Sequence, residues 1–140
     1  MGGVEIFLPT IFMTLKIKKE KSIKALRNKA WILFSSYIRQ KEKGLCFTCG
    51  KKDEWKSMNA GHFVHKDCLD YNEKNVHCQC PGCNQYKSGN LVNYAIHLEK
   101  IYGFGIVQEL KKEGDKIKYW KIKELEETIE TYKNKLKELN

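Results

Sequence analysis

Cys46-Phe47-Thr48-Cys49 and Cys80-Pro81-Gly82-Cys83, the second pair starting thirty-one positions after Cys49, bracket the stretch whose reading decides the fold. Ala60-Gly61-His62-Phe63 lies between them, and Asn84 directly follows the second pair. Zinc takes four soft ligands in a tetrahedron, each sulfur about 2.3 Å from the ion. A Cys-x-x-Cys turn presents two thiolates on one edge of that tetrahedron, and a second such turn supplies the opposite edge. Cys46, Cys49, Cys80 and Cys83 meet the requirement. Replacement of one of these thiols by Cys78, His62, His65 or His77 is the competing ligand choice. Four protein ligands leave no open position, so this zinc is expected to be structural. Its binding free energy, on the order of 10 kcal/mol, would then be folding free energy.

At 140 residues the chain is sized for one domain with an appendage. The apolar fraction of 41% is ordinary, and a metal would help a core this small. The net charge is +9 and unevenly placed. Residues 16–43 hold ten Lys/Arg against only Glu20 and Glu42, which is nearly the whole excess. Such a block points to a polyanion, nucleic acid first; a solvated, lysine-rich helix face is the plainer reading. Six cysteines raise the alternative of a disulfide scaffold. The first fifteen residues do not read as a secretory signal, because Glu5 and Pro9 interrupt them and no basic segment precedes them. They are also too short to span a bilayer, so no membrane association is expected. In a reducing cytoplasm paired knuckles read as metal ligands, leaving Cys68 and Cys78 as free thiols.

Residues 1–21 read as a leader, either a strand or a disordered segment. A basic amphipathic helix is predicted over 22–44, with Ser22 in the N-cap position and Gly44 at its end. Leu26, Ala30, Leu33 and Tyr37 share one of its faces. Residues 45–106 form the predicted core. In it, Met58–Val64 and Asn75–Gln79 are strands, a short helix begins around Asn84, and Asn90 caps a helix with the stripe Leu91, Tyr94, Leu98 and Ile101. Residues 107–140 form a helical appendage. There Ile122, Leu125, Ile129, Tyr132, Leu136 and Leu139 repeat as a short a/d seam. That seam could dock on its own domain or join two copies as a homodimer.

Pairing the two strands and placing Asn84 on the helix behind them would bring an imidazole near a carboxamide oxygen. Phosphodiester hydrolysis needs both functions. A neutral imidazole can take a proton from water, and a hard oxygen can hold Mg²⁺ against a phosphate. His62 is the candidate general base and Asn84 the candidate ligand for Mg²⁺ or Mn²⁺. Lys21, Lys24, Arg27, Lys29 and Lys87 are the candidate DNA contacts, reading phosphate and shape rather than base sequence.

Several runs together resemble one family. They are Trp31-x-x-Phe34-Ser35-x-Tyr37-Ile38-Arg39, Cys46-x-x-Cys49-Gly50-Lys51, Ala60–Phe63, Tyr71–Asn84, and Ser88-Gly89-Asn90 with Tyr94. Over roughly residues 26–105 the chain is similar to the phage NinG/Rap recombination nucleases, within the HNH, or His-Me finger, superfamily. The resemblance implies an α+β fold with a small zinc-bound ββα-metal core, flanked by the basic helix and the C-terminal helices. It implies a Mg-dependent endonuclease cutting branched recombination intermediates such as Holliday junctions, encoded by a phage or prophage and acting in the host cytoplasm. His62 matches the general base, Asn75 the asparagine that braces the hairpin loop, and Asn84 the final metal-binding position. Many HNH enzymes carry Asp just before that histidine; here, as in the NinG-like pattern, the residue is Gly61. The second metal ligand is therefore open, with His77 and His65 as candidates. Two other functions stay open: a non-catalytic zinc DNA-binding module, and an HNH nuclease of nonspecific or restriction type.

Overall fold

A computed structural model of the chain describes the backbone from Gly3 to Asn140 and the side chains of residues 13–15 and 22–140. Lys21 and most of the expected leader therefore lie outside the described side chains. Helix α1 runs Gly3–Lys41, so Ser22 sits inside it and does not cap it. Ala30, Phe34 and Ile38, at four-residue spacing, are completely buried on one side of α1. Onto that stripe the last helix, α4 (Ile122–Leu139), lays Leu125, Ile129 and Tyr132. Phe34 and Tyr132 meet edge to face at 4.9 Å between ring centroids. Three members of the predicted heptad seam are thus buried against α1 of the same chain, while Ile122 and Leu136 are half-buried and Leu139 is exposed. Glu73 ties the same corner, accepting from Lys135 at 2.6 Å and from the Tyr132 hydroxyl at 3.1 Å.

α1 stops in a Schellman motif. Gly44 N donates to Arg39 O at 3.1 Å and Lys43 N to Gln40 O at 3.0 Å, with Lys43 left-handed at φ 55°. Gly44, at φ 67°, must be glycine for a second reason: a Cβ there would collide with the Asp53 carbonyl. The chain then enters the first cysteine turn, closed by Gly50 N to Cys46 O at 2.9 Å.

Strands β1 (Asn59–His62) and β2 (Val76–Gln79) pair antiparallel, with Gly61 opposite His77 and His62 opposite Val76. Both are shorter than predicted, although Phe63 N still donates to Asn75 O at 2.8 Å just beyond them. The Asn75 side chain bonds the backbone of Val64. β2 is buried along its whole length, since α1 covers one face and α2 (Leu91–Tyr102) the other. Tyr94 of α2 is fully buried and donates its hydroxyl to the Gly61 carbonyl at 2.7 Å, fixing β1 to α2. α3 (Ile106–Gly114) adds Ile106 and Leu110 to the same core. Each large apolar side chain so buried contributes about 1.5–3 kcal/mol. The predicted stripe on α2 is narrower than expected: Tyr94 and Leu98 are buried, while Leu91 and Ile101 are exposed.

The protein is therefore α+β, a two-stranded hairpin between helical layers. No helix among the described residues is long and apolar enough to cross a membrane.

Candidate metal centre and adjoining cleft

The Sγ atoms of Cys46, Cys49, Cys80 and Cys83 all lie within 4.8 Å of one another. The Cys49–Cys80 separation is 3.7 Å, close to the edge of about 3.8 Å that follows from tetrahedral zinc–sulfur bonds. The four thiols could hold a metal such as zinc. The backbone prepares them. Cys83 N points at Cys80 Sγ (3.4 Å), Asn90 Nδ2 at Cys83 Sγ (3.5 Å), and the Thr48 hydroxyl lies 3.4 Å from Cys46 Sγ. Burial pushes the Cys46 thiol up, but hydrogen bonds from the Thr48 hydroxyl and from the backbones of Cys80, Cys49 and Thr48 outweigh it and bring it down to about 6. The Cys49 thiol goes the opposite way, pushed by burial up to about 12, so the ligands of the cluster do not ionise alike. Asn90 was expected to cap α2 with its side chain. It stands at the cap position in a left-handed conformation, and its amide serves the cysteines instead.

The competing ligands stand elsewhere. Cys78 packs against the cluster but is not among its ligands, and burial with the nearby Glu42 pushes its thiol up to about 12. Cys68 donates to Glu113 O at 3.2 Å.

His62, at the end of β1, faces α1. Its ring stacks on Trp31 with centroids 4.9 Å apart and planes 18° apart. Its Nε2 lies 3.3 Å from the Asp70 carbonyl. A carbonyl only accepts, so Nε2 carries the proton and Nδ1 keeps a lone pair. Burial pulls the His62 imidazole below its ordinary value; the Asp70 carbonyl and carboxylate push back, and His65 adds to the lowering. The ring therefore stays neutral further into the acid range than a free histidine. It lines a cavity of about 510 Å³ together with Lys24, Arg27, Asn28, Trp31 and Tyr71.

Asn84 lies in a single π-helical turn, Gly82–Tyr86, directly after the second knuckle. Its Oδ1 sits 2.9 Å from the point a Cβ on Gly61 would occupy. Asn84 thus lies against the residue that precedes His62. Trp31 lines both the His62 cavity and a second hollow of about 350 Å³ that holds Asn84, Asn59 and Arg39.

Asn75 is fully buried. Its Oδ1 accepts from Val64 N at 2.8 Å, and its Nδ2 donates to Val64 O at 2.9 Å and to Leu69 O at 3.4 Å. It holds the loop after His62 closed and does not face the cleft, so its part is positioning.

His77 is a correction. It was a candidate cation ligand, but its two ring nitrogens are engaged, Nδ1 with the Glu42 carboxylate at 2.9 Å and Nε2 with Lys74 O at 3.1 Å. Its ring also stacks on Phe47 at 3.9 Å, so the side chain is held by Glu42, Lys74 and Phe47. His65 is exposed and stands 5.7 Å from His62, ring to ring.

Of the basic residues, Lys24 and Arg27 line the cavity of His62, but Arg27 is already paired with Asp70 at 2.8 Å and Asp67 at 3.3 Å. Lys29 and Lys87 are exposed.

Gln79, on β2, is completely buried, and buried polar side chains are ordinarily held by a partner.

A family model described as Bacteriophage Lambda NinG protein matches residues 13–140. The chain belongs to the NinG family. Over 111 residues it is 35% identical to protein ninG of Escherichia phage lambda, covering 75% of this chain and 52% of that protein. It is 33% identical, over the same length, to protein ninG of Salmonella phage P22 and to that of Escherichia phage 933W, covering 53% of each. The chain spans about half the length of these curated relatives. No solved structure matches it.

Proposed function

We propose that this NinG-family chain is a Mg-dependent endonuclease of the HNH, or His-Me finger, type, its ββα-metal core framed by zinc on Cys46, Cys49, Cys80 and Cys83. The observation that carries the reading is His62, whose Nε2 faces the Asp70 carbonyl and so leaves Nδ1 as the acceptor nitrogen of the neutral ring, next in sequence to the glycine near the Asn84 oxygen. In this reading Nδ1 takes the proton of an attacking water, while Trp31 and the Asp70 carbonyl hold the ring in place. Asn84 would hold Mg²⁺ or Mn²⁺. A divalent cation bound there supplies charge stabilisation at the phosphate and at the leaving 3′-oxygen. Lys24, Lys29 and Lys87, with Arg27 and Lys21 of the same basic helix, contact phosphates on either side of the cut. Branched recombination DNA in the cytoplasm of a bacterial host is the proposed substrate, in keeping with the phage origin of the relatives.

The test compares Mg²⁺-dependent nicking of linear, flapped and four-way DNA by the zinc-loaded protein. Cutting of the flapped or four-way substrate well above the linear one is expected. Equal cutting of all three would favour an HNH nuclease of nonspecific or restriction type. Binding without cutting would favour a silent zinc DNA-binding module, a rival that gains from the lack of a carboxylate at Gly61.

The reading also fixes a pH dependence. Because burial lowers the His62 value, the neutral base persists below pH 6.5, and kcat/KM should fall on an acid limb whose midpoint lies below about 6.5. Folding stability follows the same sign. The His62 contribution is present above the unfolded value and is lost as pH falls through the lowered folded one. The measurement is a kcat/KM profile from pH 5 to 8, and a midpoint well above 6.5 would remove His62 as the base.

A further inference from the structure

We infer that Gln79 is the second oxygen ligand of the divalent cation beside Asn84, occupying the room that Gly61 leaves. The inference rests on the proposed function and adds the ligand set to it. Gln79 is completely buried on β2. Its Nε2 donates to the Thr48 hydroxyl at 3.1 Å and to the Gly89 carbonyl at 2.9 Å. The Gly89 carbonyl can only accept, so the amide orientation is fixed with the nitrogen on that side. Oε1 is then left on the other side, buried and without a hydrogen-bond partner. Native proteins rarely leave such an oxygen unsatisfied without a reason, and an ion is one of them.

The direction of Oε1 supplies that reason. A Cβ on Gly61 would lie 2.9 Å from Asn84 Oδ1 and nearer still to Gln79 Oε1. Two amide oxygens from separate elements therefore converge on the space in front of Gly61. A divalent cation there would satisfy the unpartnered Gln79 oxygen, and neutral oxygens of this kind suit Mg²⁺ or Mn²⁺. Gly61 is accordingly not a deleted ligand. It is the vacancy that lets a ligand from the neighbouring strand reach the position where related enzymes carry a carboxylate.

The cysteine cluster helps to aim this ligand. The Thr48 hydroxyl that receives the Gln79 amide also lies 3.4 Å from Cys46 Sγ. Loss of the structural metal would disturb the cation site through that hydroxyl.

The test is Mn²⁺ binding followed by electron paramagnetic resonance on the full, zinc-loaded chain without DNA. Gln79→Met keeps the volume and removes the oxygen. Parent protein is expected to bind one Mn²⁺, and Gln79→Met to weaken it at least about tenfold with zinc content unchanged. Gly61→Ala, which leaves Gln79 in the sequence but displaces its Oε1, should give a similar loss, and it decides the matter if Gln79→Met fails to fold. Parental affinity in the folded variants, with loss in Asn84→Ala, would overturn the role of Gln79 and leave the proposed function standing. Absence of Mn²⁺ binding by the parent would overturn both.

Discussion

His62→Ala should reduce Mg²⁺-dependent cleavage by about 10²–10⁴-fold, the usual worth of a positioned general base. Zinc content should stay at the parental value and melting temperature should fall only modestly. The side chain is half-buried against the Trp31 ring and bonds the Asp70 carbonyl, so losing both contacts costs about 2 kcal/mol. Nothing in the cysteine cluster or the Asn75 brace depends on it. The substitution also makes a second, independent forecast. Whatever cleavage remains should lose the acid limb, because the group that titrates is gone. Rates and pH profile are measured on one four-way substrate at fixed ionic strength, since phosphate contacts make binding salt-dependent. Parental cleavage by His62→Ala would end the proposed mechanism, whatever the zinc site does.

Cys80→Ser carries the largest expected effect on stability. Cys80 is buried, lies 3.7 Å from Cys49 across the cluster, and accepts the backbone N–H of Cys83. Serine is a poor zinc ligand, so the variant should lose the metal. A structural zinc contributes on the order of 10 kcal/mol, comparable with the whole stability of about 5–15 kcal/mol typical of a domain. The hairpin and its knuckles should therefore lose cooperative melting, read by calorimetry and near-ultraviolet circular dichroism alongside metal content. Cys68→Ser is the matching control. Its thiol bonds a carbonyl on α3 and takes no part in the cluster, so zinc should stay stoichiometric. A Cys80→Ser protein that keeps zinc and melts like the parent would show that the metal is not structural.

The hairpin, the helix carrying the basic run, α2, α3 and α4 could all be read from periodicity and punctuation, because local patterning leaves a signal in the chain itself. The errors fell where tertiary context decides. α1 extends far beyond Ser22, since a capping side chain does not start a helix when the preceding residues are helical too. The strands are shorter than their apolar pattern, and past their end the Asn75 amide closes on the backbone of Val64. His77 shares a strand face with the cation cradle but is held by Glu42 and Lys74. Glu42 is 35 positions away along the chain, so spacing could not reveal it.

By itself the sequence determined the four cysteines as one site, the pairing of a histidine strand with a second strand, and membership of a family whose motifs span most of the chain. These depend on residue type and local spacing, which translate directly into geometry over a few residues. Only the tertiary structure decided that His62 sits between Trp31 and the Asp70 carbonyl, that the middle of the α4 seam packs on α1, and that a buried glutamine oxygen stands near Asn84 at Gly61. Those outcomes turn on which distant groups satisfy one another, and a hydrogen bond between far-separated residues leaves no periodic trace along the chain.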